Sequence, residues 1–134
     1  MKGSSKIIDL LNKIKPPYNV SEISQRLVLC ALDNPGVVRK NMGVILYERS
    51  LMATNLQILS SVEKIFPSDA NFLLVKIANS NAAYKFLLDD GIVVRNRSSV
   101  ELCEGCLRIT IGTPDENAAL IDSLQRFESQ LSIV

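Results

Sequence analysis

Apolar positions recur at two different spacings along the chain. From Asn19 to Asn34 (NVSEISQRLVLCALDN) they fall at Ile23, Leu27, Cys30 and Ala31, the spacing of one helix face, with Ser21 as the N-cap candidate. Pro16 and Pro17 mark a break before this segment, and Asp33–Gly36 (DNPG) reads as a turn or as the start of the next helix. On that helix the Cys30 side chain is expected to join the core. From Val37 the helical spacing resumes through Val38, Met42, Ile45, Leu46, Arg49, Met52, Leu56 and Leu59. It predicts one helix of about 25 residues, well above the usual length of about 11–12.

The period then changes to two. VEKIFPS is a short strand candidate ending at Pro67, and NFLLVKIA (71–78) reads as a strand buried on both faces. SNAAYKFLLDDG predicts a helix capped by Asn79 or Ser80 and stopped by Gly91. IVVRNR is a strand candidate, and SSVELCEG a polar loop able to hold a short hairpin. CLRITIG alternates cleanly: Leu107, Ile109 and Ile111 share one face, Arg108 and Thr110 the other. TPDENAALIDSLQRFESQL closes the pattern as a helix, with Thr113 at the N-cap, Pro114 at the first helical position and Glu116 completing a capping box.

Helices and strands are mixed without strict βαβ alternation. The expected fold class is α+β: a small, mostly antiparallel sheet of about four strands with helices packed on it, one of them long. The 134 residues suit a single domain, and a 47% hydrophobic content allows a sizeable core.

Composition excludes several functions. A net charge of +1 gives no broad electrostatic footprint for nucleic acid or an anionic membrane. Aromatic residues are few and Trp is absent, so no stacking platform for single strands is expected. No apolar run approaches the roughly 20 residues that span a bilayer. The opening MKGSSKIIDL lacks the pattern of a secretory signal, and three cysteines make a disulfide framework an unsuitable reading. The chain therefore reads as cytoplasmic. Histidine is absent, which rules out Ser-His-Asp or Cys-His catalysis and His-ligated zinc within the chain.

Two features carry candidate chemistry. Cys103 and Cys106 have the spacing of half a zinc site or of a redox dithiol. Zinc needs about four ligands and no second pair exists, so no metal is expected. A low thiolate pKa wants a helix N-terminus, whereas Cys106 opens a strand. The plainer reading is two cysteines at a turn and a strand start. Arg95 and Arg108 interrupt strands that should pair. Arginine is expensive to bury unpaired, and its planar fork matches carboxylate or phosphate through two parallel hydrogen bonds. Two on one sheet would make a site for a small anion. Alternatively both lie on a solvated face or pair with Glu101 or Glu104.

Three stretches, LLNKIKPPYNVSEISQ, GIVVRNRS and CEGCLRITIGTPDEN, together resemble the C-terminal part of histidinol-phosphate aminotransferases, pyridoxal-phosphate enzymes of the aspartate-aminotransferase fold type. The resemblance covers nearly the whole chain in order, and the LRITIGTP-x-EN form is its most specific part. It implies the small domain of that fold, whose long helix and sheet pack against the cofactor domain and close over substrate. It implies that Arg108 holds the carboxylate of glutamate or 2-oxoglutarate. Arg95 would help recognise the phosphate of histidinol phosphate, and Tyr18 and Asn19 would lie near the substrate entrance. The implied pathway is histidine biosynthesis, and the full-length enzyme is implied to be a homodimer. Neither Arg97 nor the cysteines receive a role.

The departure from the family is large. Its Schiff-base lysine follows a serine-rich loop on the large domain. Lys85 sits instead in an amphipathic helix, and the SSK at Ser4–Lys6 lies too late in the family's order. The aspartate for the pyridine nitrogen, the stacking aromatic and the phosphate-binding loop are missing as well. The chain thus resembles the small domain alone. It is expected to bind no pyridoxal phosphate, to be inactive by itself, and to expose an apolar face where the large domain would dock, favouring self-association. The competing expectation is a stand-alone α+β module for a small anionic metabolite, with a largely polar surface. A zinc or redox protein comes third.

Overall fold

In the computed structural model, which describes residues 4–15 and 20–131, the alternation in CLRITIG becomes the central strand of a sheet. The elements are α1 (Ser5–Ile14), α2 (Glu22–Asp33), α3 (Pro35–Gln57), β1 (Val62–Ile65), β2 (Phe72–Ile77), α4 (Ser80–Asp89), β3 (Arg95–Asn96), β4 (Cys106–Thr110) and α5 (Pro114–Leu131). The four strands form one antiparallel sheet in the order β1-β2-β4-β3, so the α+β expectation is met. Because β4 pairs antiparallel with both neighbours, β3 runs parallel to β2 with β4 inserted between them. That insertion brings residues 95 and 108 side by side. Among the described residues no helix is long and apolar enough to cross a membrane.

The chain divides into two compact units, one up to Arg39 and one from Lys40. The sequence reading treats it as a single domain. In the first unit, α2 starts as expected, with the Ser21 Oγ accepting from Ser24 N at 3.1 Å. Neither α1 nor α2 buries a residue. Cys30 is exposed, which corrects its expected place in the core: helical spacing shows which residues share a face, and not whether anything covers that face. Helix α1 has no counterpart in the expected element order, although Ile7, Leu11 and Ile14 mark its face.

In the second unit the core lies between one face of the sheet and the helices. Leu73, Val75 and Ile77 of β2 face Leu107 and Ile109 of β4, and Ala83, Leu87, Leu120, Leu124 and Phe127 cover them from α4 and α5. The long helix α3 runs for 23 residues, and its face is buried only from Glu48 through Met52 to Leu56. Strand β2 is buried on alternate residues, not on both faces as expected. Within this unit the described helices pack on one side of the sheet. The strand expected from Ile92 to Arg97 shrinks to two residues, and residues 97–106 form successive turns with no hairpin strands.

Local signals close the helices. Gly91, at φ +79°, ends α4: Gly91 N donates to Leu88 O at 2.9 Å and Ile92 N to Leu87 O at 2.8 Å. Asn79 takes the N-cap position of α4 without a side-chain cap bond. At α5 the capping box forms as expected. Thr113 N donates to Glu116 Oε2 at 2.8 Å, and Glu116 N donates to Thr113 Oγ1 at 3.4 Å.

Asp90, beside Gly91, ties α4 to α5. It accepts from the Ser123 hydroxyl and from Arg126 Nη2 at 2.7 Å. The Ser123 bond foremost, and then Arg126, hold its carboxyl below the ordinary aspartate range. Glu116 is lowered likewise by the Thr113 amide and hydroxyl. A carboxyl with a lowered folded-state pKa stabilises the fold above its unfolded pKa and loses that contribution as pH falls through the folded one. Thermal melts followed by circular dichroism should therefore show stability falling as pH drops below about 4, and Asp90→Asn should flatten that fall. An unchanged pH profile in Asp90→Asn would discount Asp90.

Candidate functional site

Side chains alternate across a strand, so the sheet face turned away from the core collects Phe72, Leu74 and Lys76 of β2 with Arg108 and Thr110 of β4. Arg108 stands in the middle of β4, opposite Leu74 on one side and Arg95 of β3 on the other. The two candidate arginines are thus directly opposed, where Cβ atoms lie about 5 Å apart. Arg108 is half-buried and Arg95 is exposed.

Like charges in this position repel. Among the described residues neither arginine has a carboxylate partner to relieve that repulsion, and Glu101 and Glu104 pair with neither. The solvated-face alternative holds for Arg95 but only in part for Arg108. The Arg108 guanidinium lies over the Phe72 ring, 5.0 Å from its centre. Among the described residues its guanidinium has no hydrogen-bond partner, and its Nε is shielded from solvent.

Two further cations share this face. Lys64 of β1 opposes Lys76 of β2. Lys76 is paired with Glu63 at 3.0 Å, and that hydrogen bond and charge raise its pKa, so it stays an ammonium. Lys64 lies over the Phe66 ring, 4.7 Å from its centre. Of the four cations, the two arginines therefore keep the most unspent hydrogen-bonding capacity.

The other candidates separate from this face or do not enlarge it. Tyr18 and Asn19 lie outside the described residues. Arg97 is half-buried and anchors the loop through its backbone, donating to Cys106 O at 2.8 Å. Cys106 opens β4 and is buried, and Cys103 closes a turn onto it by accepting from Cys106 N at 2.9 Å. Burial pushes the Cys106 thiol upward, the wrong direction for a reactive thiolate. Among the described residues no three or more Cys, Asp or Glu side chains cluster as a metal site would require.

Phe72 was not singled out in the sequence. The available signal was alternation in FLLVKI, which puts Phe72, Leu74 and Lys76 on the Arg108 face once β2 is taken as covered on one side only.

Comparison with known proteins gives consistent matches. A family model described as aminotransferase class I and II matches residues 2–124. A histidinol-phosphate aminotransferase of Flavobacterium psychrophilum is 48% identical over 92% of this chain and 35% of its own length. One of Christiangramia forsetii is 45% identical over 96% of this chain and 37% of its own. The chain therefore spans about a third of the length of these curated relatives. Among solved structures, the histidinol-phosphate aminotransferase from Clostridium acetobutylicum superposes with a TM-score of 0.85 at 20% identity, over 93% of this chain and 38% of that one. The L-threonine-O-3-phosphate decarboxylase from Porphyromonas gingivalis superposes at 0.72 and 21% identity, over 94% and 40%. At such identities the superpositions speak for the fold alone, and the second shows that this fold also occurs in a decarboxylase.

Proposed function

Because this chain belongs to the class I and II aminotransferases, we propose that it is the C-terminal, substrate-recognising domain of a histidinol-phosphate aminotransferase. In the whole enzyme that domain would serve transfer of an amino group between histidinol phosphate and 2-oxoglutarate, in histidine biosynthesis. The observation that carries this reading is the Arg95–Arg108 pair, directly opposed and, among the described residues, without carboxylate partners.

Such a pair suits the reaction. Two substrates must occupy one place in alternate half-reactions, one ending in a phosphate and the other in a carboxylate. Both groups accept two parallel hydrogen bonds from an arginine fork. Arg108, held in the sheet, would orient the anionic end of either substrate. Arg95, exposed at the sheet edge, would add the charge that a phosphate requires.

Pyridoxal phosphate supplies the amino-group chemistry in this class. The lysines described here do not fit as its covalent anchor. Lys76 is kept protonated by Glu63, Lys64 lies over Phe66, and Lys6, Lys13, Lys15, Lys40 and Lys85 are exposed to solvent, four of them on helices. The cofactor site belongs, on this reading, to the large domain that the longer relatives leave room for. The whole enzyme would be a cytoplasmic homodimer.

Exposed apolar residues favour this over a stand-alone module with a polar surface. Ile14 is 70% exposed, Ile23 72% and Leu27 65%.

The test is direct. Given pyridoxal phosphate, histidinol phosphate and 2-oxoglutarate, the 134-residue chain should show no turnover, yet it should bind inorganic phosphate at Arg95 and Arg108 in an NMR titration. Turnover with an imine absorbance on any lysine, or no phosphate response at either arginine, would sink the proposal.

A further inference from the structure

Arg108 is held in an unusual way for a half-buried arginine. It makes no hydrogen bond and no ion pair among the described residues, and its guanidinium rests on the Phe72 ring. Arg126 provides a contrast within the same molecule. It also lies over a ring, Phe86, at 5.9 Å, but Asp90 takes its Nη2 at 2.7 Å and Nη1 at 3.3 Å. Arg126 is thereby neutralised, and its donors are in use. Arg108 is not.

The difference follows from how each partner grips a guanidinium. A carboxylate binds the edge, consumes N–H donors and cancels the charge. An aromatic ring binds the flat face by the attraction of its quadrupole, leaving every in-plane donor and the full charge available. The register makes this grip possible. Phe72 opposes Thr110 and Leu74 opposes Arg108, so Phe72 and Arg108 are diagonal neighbours on one face, within reach for a ring and a long side chain. With Nε tucked against the protein, the Nη edge is the one left to meet a ligand.

We propose that Phe72 is the positioning residue of the anion site: it fixes the Arg108 guanidinium by its face, so that the Nη edge meets a phosphate or carboxylate already oriented. The inference rests on the proposed role of Arg108 as the anion ligand. It adds a residue that touches no substrate and acts through the arginine. An aliphatic side chain at position 72 keeps the strand but loses the quadrupole, and Arg108 then samples several rotamers before it binds.

The experiment uses the full chain and inorganic phosphate, with Arg108→Ala as the reference for a lost site. Phe72→Leu and Phe72→Val, two strand-compatible replacements, should weaken phosphate binding by roughly three- to tenfold, the range expected for a cation–π contact of this kind. Phe72→Tyr, which restores a ring, should bind like the unsubstituted protein. The Arg108 Nε–Hε resonance should be single and dispersed in the Phe and Tyr proteins and move toward the exposed-arginine position in the Leu and Val variants, before any phosphate is added. A purely structural role for Phe72 would lower the melting temperature and leave that resonance in place. Unchanged affinity and an unchanged resonance in Phe72→Leu and Phe72→Val, with binding still lost in Arg108→Ala, overturn the role of Phe72 and leave that of Arg108 standing. No phosphate binding by the unsubstituted chain overturns both.

Discussion

Arg108→Ala should remove the anion site, raising the dissociation constant for inorganic phosphate about a hundredfold. The magnitude follows from two charge-assisted hydrogen bonds of about 1.5 kcal/mol each, at 1.4 kcal/mol per factor of ten. Arg95→Ala should weaken binding by only about tenfold, because an exposed guanidinium loses more of its strength to solvent. Neither variant should lower thermal stability much. Arg108 makes no hydrogen bond or ion pair among the described residues, and removing either arginine relieves repulsion between opposed cations. Isothermal calorimetry or NMR titration of both variants checks this. A change below about threefold in Arg108→Ala would mean that the anion site lies elsewhere.

Asn117→Ala should be strongly destabilising, by about 3 kcal/mol, for reasons unrelated to the arginines. Asn117 is buried and makes three bonds: its Oδ1 accepts from Gly112 N at 2.9 Å, and its Nδ2 donates to Gly112 O at 3.2 Å and to Glu48 Oε2 at 2.9 Å. It clamps the end of β4 to the start of α5 and joins both to α3. Truncation leaves the Glu48 side chain, only 5% exposed, without its amide partner. Urea denaturation should show a lower midpoint with an unchanged slope. Replacing both residues by apolar side chains, Glu48→Met with Asn117→Leu, should recover part of the loss, since no buried carboxylate is then stranded. A loss under about 1 kcal/mol in the single variant would show that water replaces the amide.

Much of this architecture can be read from short-range rules, and the exceptions share a cause. The capping box at Thr113–Glu116, the Gly91 stop and the alternation through Leu107, Ile109 and Ile111 are local signals, set by residues a few positions apart. Arg108 as a charge in an apolar strand belongs with them. What escaped the sequence depends on partners distant along the chain. Cys30 shares the apolar face of its helix but is left exposed. Strand β2 looks buried on both faces because Phe72 and Leu74 are apolar, yet only alternate residues are fully buried. Strand β3 is two residues long, with Arg95 and Asn96 paired to β4. The Glu48–Asn117 bond joins residues 69 positions apart, and the Phe72–Arg108 contact depends on strand register; neither leaves a local trace. The opposition of Arg95 and Arg108 needed the strand order, since β4 enters between two strands that precede it.

An anion bound at the facing arginines would also link folding to solution composition. A folded chain that binds an anion at opposed cations gains free energy that the unfolded chain lacks, about 2.7 kcal/mol when the anion stands at a hundred times its dissociation constant. Part of the resistance of this sheet to heat or proteolysis would then be supplied from outside the polypeptide. Depleting the anion would loosen β3, a two-residue edge strand whose ladder is shared only with β4, before it disturbed the core. The lifetime of the protein would rise and fall with the pool of the small molecules it handles.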